Sequence, residues 1–425
     1  MTTLSTNTNY KKPYRPLPIK ILNGLGVGNV HKQFDPELLM AKARKQAGGQ
    51  AGGTELSTAP LMRPLKLLCD SLIAEANLSP FGRIVQQTRL KGLLVNRLRL
   101  DALMAKHPEI LDQPDPDVIL IAGLARTGTT FLHRALSADP LARTLPSWEA
   151  LAPAPLPDEP AGDPSKRIKR GQSANKVMGW LAPDFAAVHP VSAEEPEEDI
   201  LLLDLAMMSQ TAEAVTYVPS YSAWLERQDH RPAYAYLRDV MKVLQWLAPG
   251  TGKSTHWVLK SPHHGEQLGA ALDIFPKATV LVTHRDPMVT TASCSSLMWH
   301  THALSTDTPD AVMIAHHWLR KSGIMANNTI AARKANPERT FLDIHYTDMM
   351  KDPASIIKQI YAAHGAPLRN EGAEAVIKST QNRPDHTGGK KHAYQLANFG
   401  LTKQDVKNTF ADYYDHYQFE GLPSS

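Results

Sequence analysis

The stretch VILIAGLARTGTTFLHRALSADP, from Val118 to Pro140, decides the fold. A run of apolar, partly β-branched residues stops at Gly123 and passes through LARTGTT. It resumes with Phe131, Leu132, Ala135 and Leu136 at helical spacing. That order reads as strand, tight turn and helix. Such a turn aims backbone N–H groups and a helix N-terminus at an anion. It lacks the G-x-x-x-x-G-K-S/T spacing of nucleoside triphosphate enzymes, so the question is which anion it takes.

A second segment, HWVLKSPHHGEQLGAALDIFPKATVLVTHRDPMVTTASCSSL, reads as two strands flanking a helix whose Leu268, Ala271, Leu272 and Phe275 share one face. The first strand ends on Lys260, Ser261, His263 and His264, the second on His284, Arg285 and Asp286. Ligands of open parallel sheets bind outside the carboxyl ends of the strands, so these groups should gather near GLARTGTT. With VILIAG, HWVLK, TVLVT and TFLDIHY as strands alternating with helices, the fold class is α/β with a mostly parallel central sheet.

Before this region, Pro36 to Pro108 has helical periodicity without strand signals, interrupted by the linker-like AGGQAGGTE, and LDQPDPD closes the block. The expected organisation is an N-terminal helical region, 1–112, followed by an α/β domain, 113–425. A helical insert at about 141–255 would shape a substrate pocket. The chain has 425 residues, 42% hydrophobic and 21% charged, and carries a net charge of +4 with a pI near 8.8. That balance is too mild to argue for nucleic acid. Cys69 and Cys294 cannot make a disulfide framework or a zinc site. No apolar leader follows the basic N-terminus and no run approaches the ~18 apolar residues of a membrane span, so a soluble, cytoplasmic protein is expected.

These motifs carry a resemblance. GLARTGTTFLHRAL resembles the 5′-phosphosulfate loop of sulfotransferases that use 3′-phosphoadenosine 5′-phosphosulfate (PAPS), and HRDPMVTTAS resembles their 3′-phosphate motif, an Arg followed eight positions later by a Ser. VLKSPHH lies where that family places its lysine turn. HYTDMMKDPASIIKQIYAAHG and HAYQLANFGLTKQDV resemble the C-terminal part of bacterial-type members. The resemblance implies a P-loop-like three-layer fold and transfer of a sulfuryl group from PAPS to a hydroxyl, or an amine, of a small-molecule, lipid or glycan acceptor. It implies donor binding by Arg126, Thr127, Gly128, Thr129, Thr130, Arg285 and Ser293. Arg126 would stabilise the transferring group, and Lys260 the departing phosphate oxygen. With Arg and Lys in these places no metal is required. Two residues compete for the general base. Glu149 follows the loop and its helix by a short connection and is favoured, because Trp148 and the prolines around it suit a partly apolar site. His264, in the lysine turn, is the other candidate; if Glu149 is the base, His264 contacts the acceptor or the transferring group.

Plainer readings stand beside these. Arg285 and Ser293 suit a surface and a helix, His263 and His264 suit loop filling, and Glu149 suits a solvated loop. Tyr217, Tyr221 and Trp224 suit a core better than an acceptor site, and AEEPEED suits the start of a helix better than a metal site. A kinase using ATP and magnesium is the alternative function, with Asp343 as its acidic strand-end residue but without the loop's Lys-Ser/Thr pair. A non-catalytic protein retaining a nucleotide fold, with the amphipathic IKILNGLGVG as a partner-binding element, is the third. The sequence does not specify the oligomeric state.

Overall fold

In the computed structural model, five parallel strands form one sheet in the order β2-β3-β1-β4-β5. They are β1 Val118–Ile121, β2 Ala142–Arg143, β3 His256–Lys260, β4 Thr279–His284 and β5 Phe341–His345. The structure describes residues 10–26, 28–48, 55–248, 254–366, 368, 370–381 and 394–418. Residues 49–54 of the stretch read as a linker lie outside these, as do His392 and Ala393 of the C-terminal motif. The chain divides into two compact units, one drawn from residues 1–116, 145–252 and 297–309, the other from 117–144, 253–296 and 310–425.

The sheet belongs to the second unit. β1, β3 and β4 are buried along their whole length, as apolar strands in the middle of a parallel sheet must be. β5, at one edge, is only partly buried. Ile119 and Ile121 join Leu132, Leu136, Ile356 and Ile360 in a core that covers one face with helices Thr129–Leu136 and Pro353–His364. Val118 and Leu120 point to the opposite face and are equally buried. Both faces are therefore covered, giving the three-layer, P-loop-like architecture. The link from β3 to β4 is two short helices, Pro262–Glu266 and Leu268–Ile274, rather than one. Leu268, Ala271, Leu272 and Phe275 are all buried nonetheless.

The first unit is helical. Helices Pro36–Ala47 and Pro80–Lys106 begin at Asp35 and Ser79, whose side chains accept from the N–H groups of Leu38 and Gly82, and each has Pro at its first position. With helix Glu55–Ala74 they bury Leu39, Leu65, Leu72, Leu90 and Leu94 in a core that also takes Met207, Tyr221 and Leu225 from the insert. Each buried leucine contributes roughly 1.5–3 kcal/mol. The insert thus completes the core of the N-terminal helices. Tyr221 lies in that core and Trp224 packs against it, as their plainer reading has it.

Candidate functional site

The register of the sheet sets the geometry of the site. Ile121, the last residue of β1, pairs with Lys260 on one side and Leu281 on the other. The β1 loop therefore leaves the sheet between the lysine turn after β3 and the His284-Arg285 turn after β4. Gly123 is held there by close approach, since a Cβ on it would lie 1.8 Å from Thr283 Oγ1 and 2.9 Å from Thr129 Cγ2. Gly128, at φ +96°, is the N-cap of helix Thr129–Leu136, so the N-cap position itself offers that helix no side chain. The turn thus presents the N–H groups of a helix start, with a residue that tolerates left-handed backbone.

Arg126 also has positive φ, +70°. Its exposed side chain donates from Nε to Ser293 Oγ at 3.0 Å, and its carbonyl oxygen accepts from Arg285 Nη1 at 3.2 Å. Ser293 lies on helix Pro287–His302. The structure thus brings Arg126, Arg285 and Ser293, read from two separate motifs, into one hydrogen-bonded group. The Arg285 guanidinium stacks over the Tyr346 ring at 4.0 Å, a contact worth roughly 0.5–1 kcal/mol at an exposed site. Tyr346 also borders Gly128, 3.1 Å from where its Cβ would stand. Sequence reasoning passed over Tyr346, although it follows β5 directly and so falls on the carboxyl edge that binds ligands.

Thr127, one of the residues expected to bind the donor, turns its side chain into the protein. It is fully buried, its hydroxyl donates to the Leu124 carbonyl at 2.6 Å, and its oxygen lies 2.6 Å from Thr283 Oγ1. It holds the loop to β4. Thr129 is buried and Thr130 exposed at the helix start. Cys294, one residue from Ser293, is buried, and burial pushes its thiol up to about 11, opposed by the charge of Arg126. It is therefore a packing residue rather than a nucleophile.

Lys260 and His264 are buried in the same unit. Ser261 Oγ accepts from the His263 N–H at 3.0 Å and starts helix Pro262–Glu266. Helix Ala311–Ala335 grips this short helix. Lys321 Nζ donates to Glu266 Oε1 at 2.7 Å, Asn328 to the Glu266 carbonyl at 2.9 Å, and Thr329 to the Gly265 carbonyl at 3.1 Å. Both members of the Lys321–Glu266 pair are almost wholly buried. Glu149 lies in the helical unit, on the short helix Ser147–Leu151 rather than in a loop. It is 4% exposed, so its reading as a solvated carboxylate does not hold.

Asp343, the acidic residue that a kinase would need, is engaged otherwise. It accepts from Arg333 Nη1 at 2.7 and 2.6 Å and lies 2.9 Å from His284 Nε2. Burial opposes its charge, but the hydrogen bonds from His284 and Arg333 outweigh that and hold its pKa below the ordinary value. His284, also bonded to the Tyr413 hydroxyl at 2.7 Å, is pushed below its ordinary pKa chiefly by burial. This cluster is a structural bond between β4, β5 and the C-terminal helices.

Comparison with known proteins agrees with this geometry. A model described as the sulfotransferase family matches residues 116–370. The omega-hydroxy-beta-dihydromenaquinone-9 sulfotransferase Stf3 of Mycobacterium tuberculosis (strain CDC 1551 / Oshkosh) is 23% identical over 305 residues, 66% of this chain and 70% of that protein. Among crystal structures, sulfotransferase STF1 from Mycobacterium tuberculosis H37Rv is 30% identical, with a TM-score of 0.76 over 88% of this chain and 98% of that one. Sulfotransferase STF9 from Mycobacterium avium, 24% identical, shares the fold with a TM-score of 0.78 over 90% of this chain and 96% of that one. With more than half its length matched by the family model, and with the loop, the lysine turn and the Arg-Ser motif standing on one sheet edge, the chain belongs to the sulfotransferase family and is a sulfotransferase enzyme.

Proposed function

We propose that the enzyme takes its sulfuryl group from PAPS and transfers it to the hydroxyl of a lipid-type acceptor. The observation that carries the donor assignment is the Arg126–Ser293 hydrogen bond with Arg285 on the Arg126 carbonyl. It sets two cations and a hydroxyl beside a helix start whose N-cap is a glycine. A donor with anions at both its 5′ and 3′ ends suits such a group, through charge-assisted bonds and the helix N-terminus. The lipid assignment draws on the relative named for a menaquinone derivative with an ω-hydroxyl. A cytoplasmic location belongs to the same reading, supported by two buried cysteines that are not disulfide-bonded.

In the proposed reaction the acceptor oxygen attacks sulfur in line. The S–O bond to the 5′-phosphate breaks as the new S–O bond forms, and the electron pair leaves on the phosphate oxygen. Arg126 and the N–H groups of Gly128, Thr129 and Thr130 stabilise the equatorial oxygens, and Lys260 the departing oxygen. The acceptor proton passes to a base, for which Glu149 is favoured over His264, typically for a factor of about 10²–10⁴ in rate. Arg285 and Ser293 hold the 3′-phosphate. No step calls on a metal ion.

The test is to incubate the enzyme with ³⁵S-labelled PAPS and a panel of hydroxylated isoprenoid quinols, sterols, phenols and sugars, and to identify the labelled product. Label in a lipid hydroxyl supports the assignment; label confined to sugars or phenols overturns the acceptor class. Glu149→Gln should abolish most turnover while donor affinity stays within a few-fold. Retained turnover in Glu149→Gln and loss in His264→Gln would move the base to His264.

A further inference from the structure

Helix Leu17–Leu25, which overlaps the motif IKILNGLGVG (19–28, of which Val27 lies outside the described residues), is fixed to the helical unit by one face and leaves an apolar face uncovered. Ile19 is buried. Asn23 donates to Asp307 Oδ2 at 2.7 Å and accepts from the Phe81 N–H at 2.9 Å. Just ahead of the helix, Arg15 donates to Asp307 Oδ1 at 2.7 Å and to the carbonyls of Ala303 and Thr306. Leu17, Ile21 and Leu25, four residues apart on the other face, are 69%, 55% and 81% exposed, and Tyr14 beside them is 48% exposed. A firmly anchored helix with an aliphatic stripe in solvent is built to be covered.

The charge pattern says by what. Residues 1–34 contain Lys11, Lys12, Arg15, Lys20 and Lys32 and no Asp or Glu. Lys11, Lys12, Lys20 and Lys32 are all exposed. Asp307, which lies against this segment, is occupied by Arg15 and Asn23. An aliphatic stripe with a tyrosine at its margin and lysines around it matches an anionic lipid surface, where the stripe enters the acyl boundary while the lysines meet the headgroups. We infer that this helix docks the enzyme on the surface of an anionic bilayer. The inference does not depend on the acceptor assignment, because the lipid it engages is bulk anionic phospholipid.

The experiment is co-sedimentation of the full chain with vesicles of phosphatidylglycerol mixed with phosphatidylcholine, which contain no acceptor. The wild type should sediment with them, release as salt is raised, and bind pure phosphatidylcholine far more weakly. Leu17→Glu combined with Ile21→Glu and Leu25→Glu should lower binding by about tenfold or more. So should Lys11→Glu with Lys12→Glu and Lys20→Glu, which leaves the stripe intact. Because all these side chains are exposed, the circular dichroism spectrum and the urea-unfolding midpoint should stay near wild type. Failure of the wild type to bind the anionic vesicles overturns the inference, as does unchanged binding in both variants. A vesicle-free dimer that the leucine variant renders monomeric would assign the stripe to a second copy instead.

Discussion

The left-handed backbone of Arg126 allows stability and catalysis to be separated at one residue. At φ +70° a residue bearing a Cβ costs roughly 1–2 kcal/mol relative to an ordinary conformation, a cost that glycine escapes. Replacing Arg126 with Ala removes the guanidinium and its bond to Ser293 but leaves that cost in place. Replacing it with Gly removes both, while returning ~0.4–1 kcal/mol to the more flexible unfolded chain. The bond to Ser293 is lost in both variants and cancels between them. Arg126→Gly should therefore be more stable than Arg126→Ala by about 0.5–1 kcal/mol, measured by urea unfolding followed by circular dichroism. Turnover of both should fall on the order of 10²-fold or more, the cost of one preorganised donor to a developing charge, measured as ³⁵S transfer from PAPS. A Gly variant no more stable than the Ala variant would refute the backbone argument. Near-normal turnover in either would refute the role of the side chain.

Arg285→Ala and Ser293→Ala should weaken PAPS and its desulfated product in calorimetry far more than a donor analogue lacking the 3′-phosphate; equal losses would make both residues structural. Lys321→Met alone, which leaves the buried Glu266 without its ammonium partner, should cost about 3–5 kcal/mol of unfolding free energy. Pairing it with Glu266→Gln should recover most of that, and no recovery would mean that the pair is not the source of the loss. His256, His284 and His364 all lie below their ordinary pKa of 6.5, chiefly through burial, so the unfolded chain binds protons that the folded chain refuses. Their contribution to stability is complete above about pH 6.5 and is lost as the pH falls below it. Urea unfolding at stepped pH should show that decline, and stability rising toward acid would contradict it.

Much of the sheet was legible because β1, β3 and β4 are buried on both faces and so read as unbroken apolar runs ending in polar residues. β2 was not, since two residues carry no period. That the residues proposed to bind the donor would share one edge was legible because a parallel sheet delivers every strand end to the same edge, whatever the order of the strands. What the sequence could not supply were bonds across long separations. Lys321 with Glu266 spans 55 positions and His284 with Tyr413 spans 129, and neither member advertises its partner. For the same reason nothing around Thr127 announced that its hydroxyl meets that of Thr283, 156 residues on. The place of the insert was hidden as well, because its Met207, Tyr221 and Leu225 show that they are apolar without showing which core they complete.

The gap at Gly123 has a consequence for how this sequence can drift. With 1.8 Å between a would-be Cβ and Thr283 Oγ1, even a single methyl would have to displace the β4 hydroxyl that Thr127 leans on, and with it the start of the loop. A smaller residue at 283 would make room but would give up the hydroxyl contact, so neither position can change first without loss. The two are locked as a pair, and a lineage in which residue 123 has acquired a side chain should also show a changed residue 283 and a loop that no longer takes the same donor.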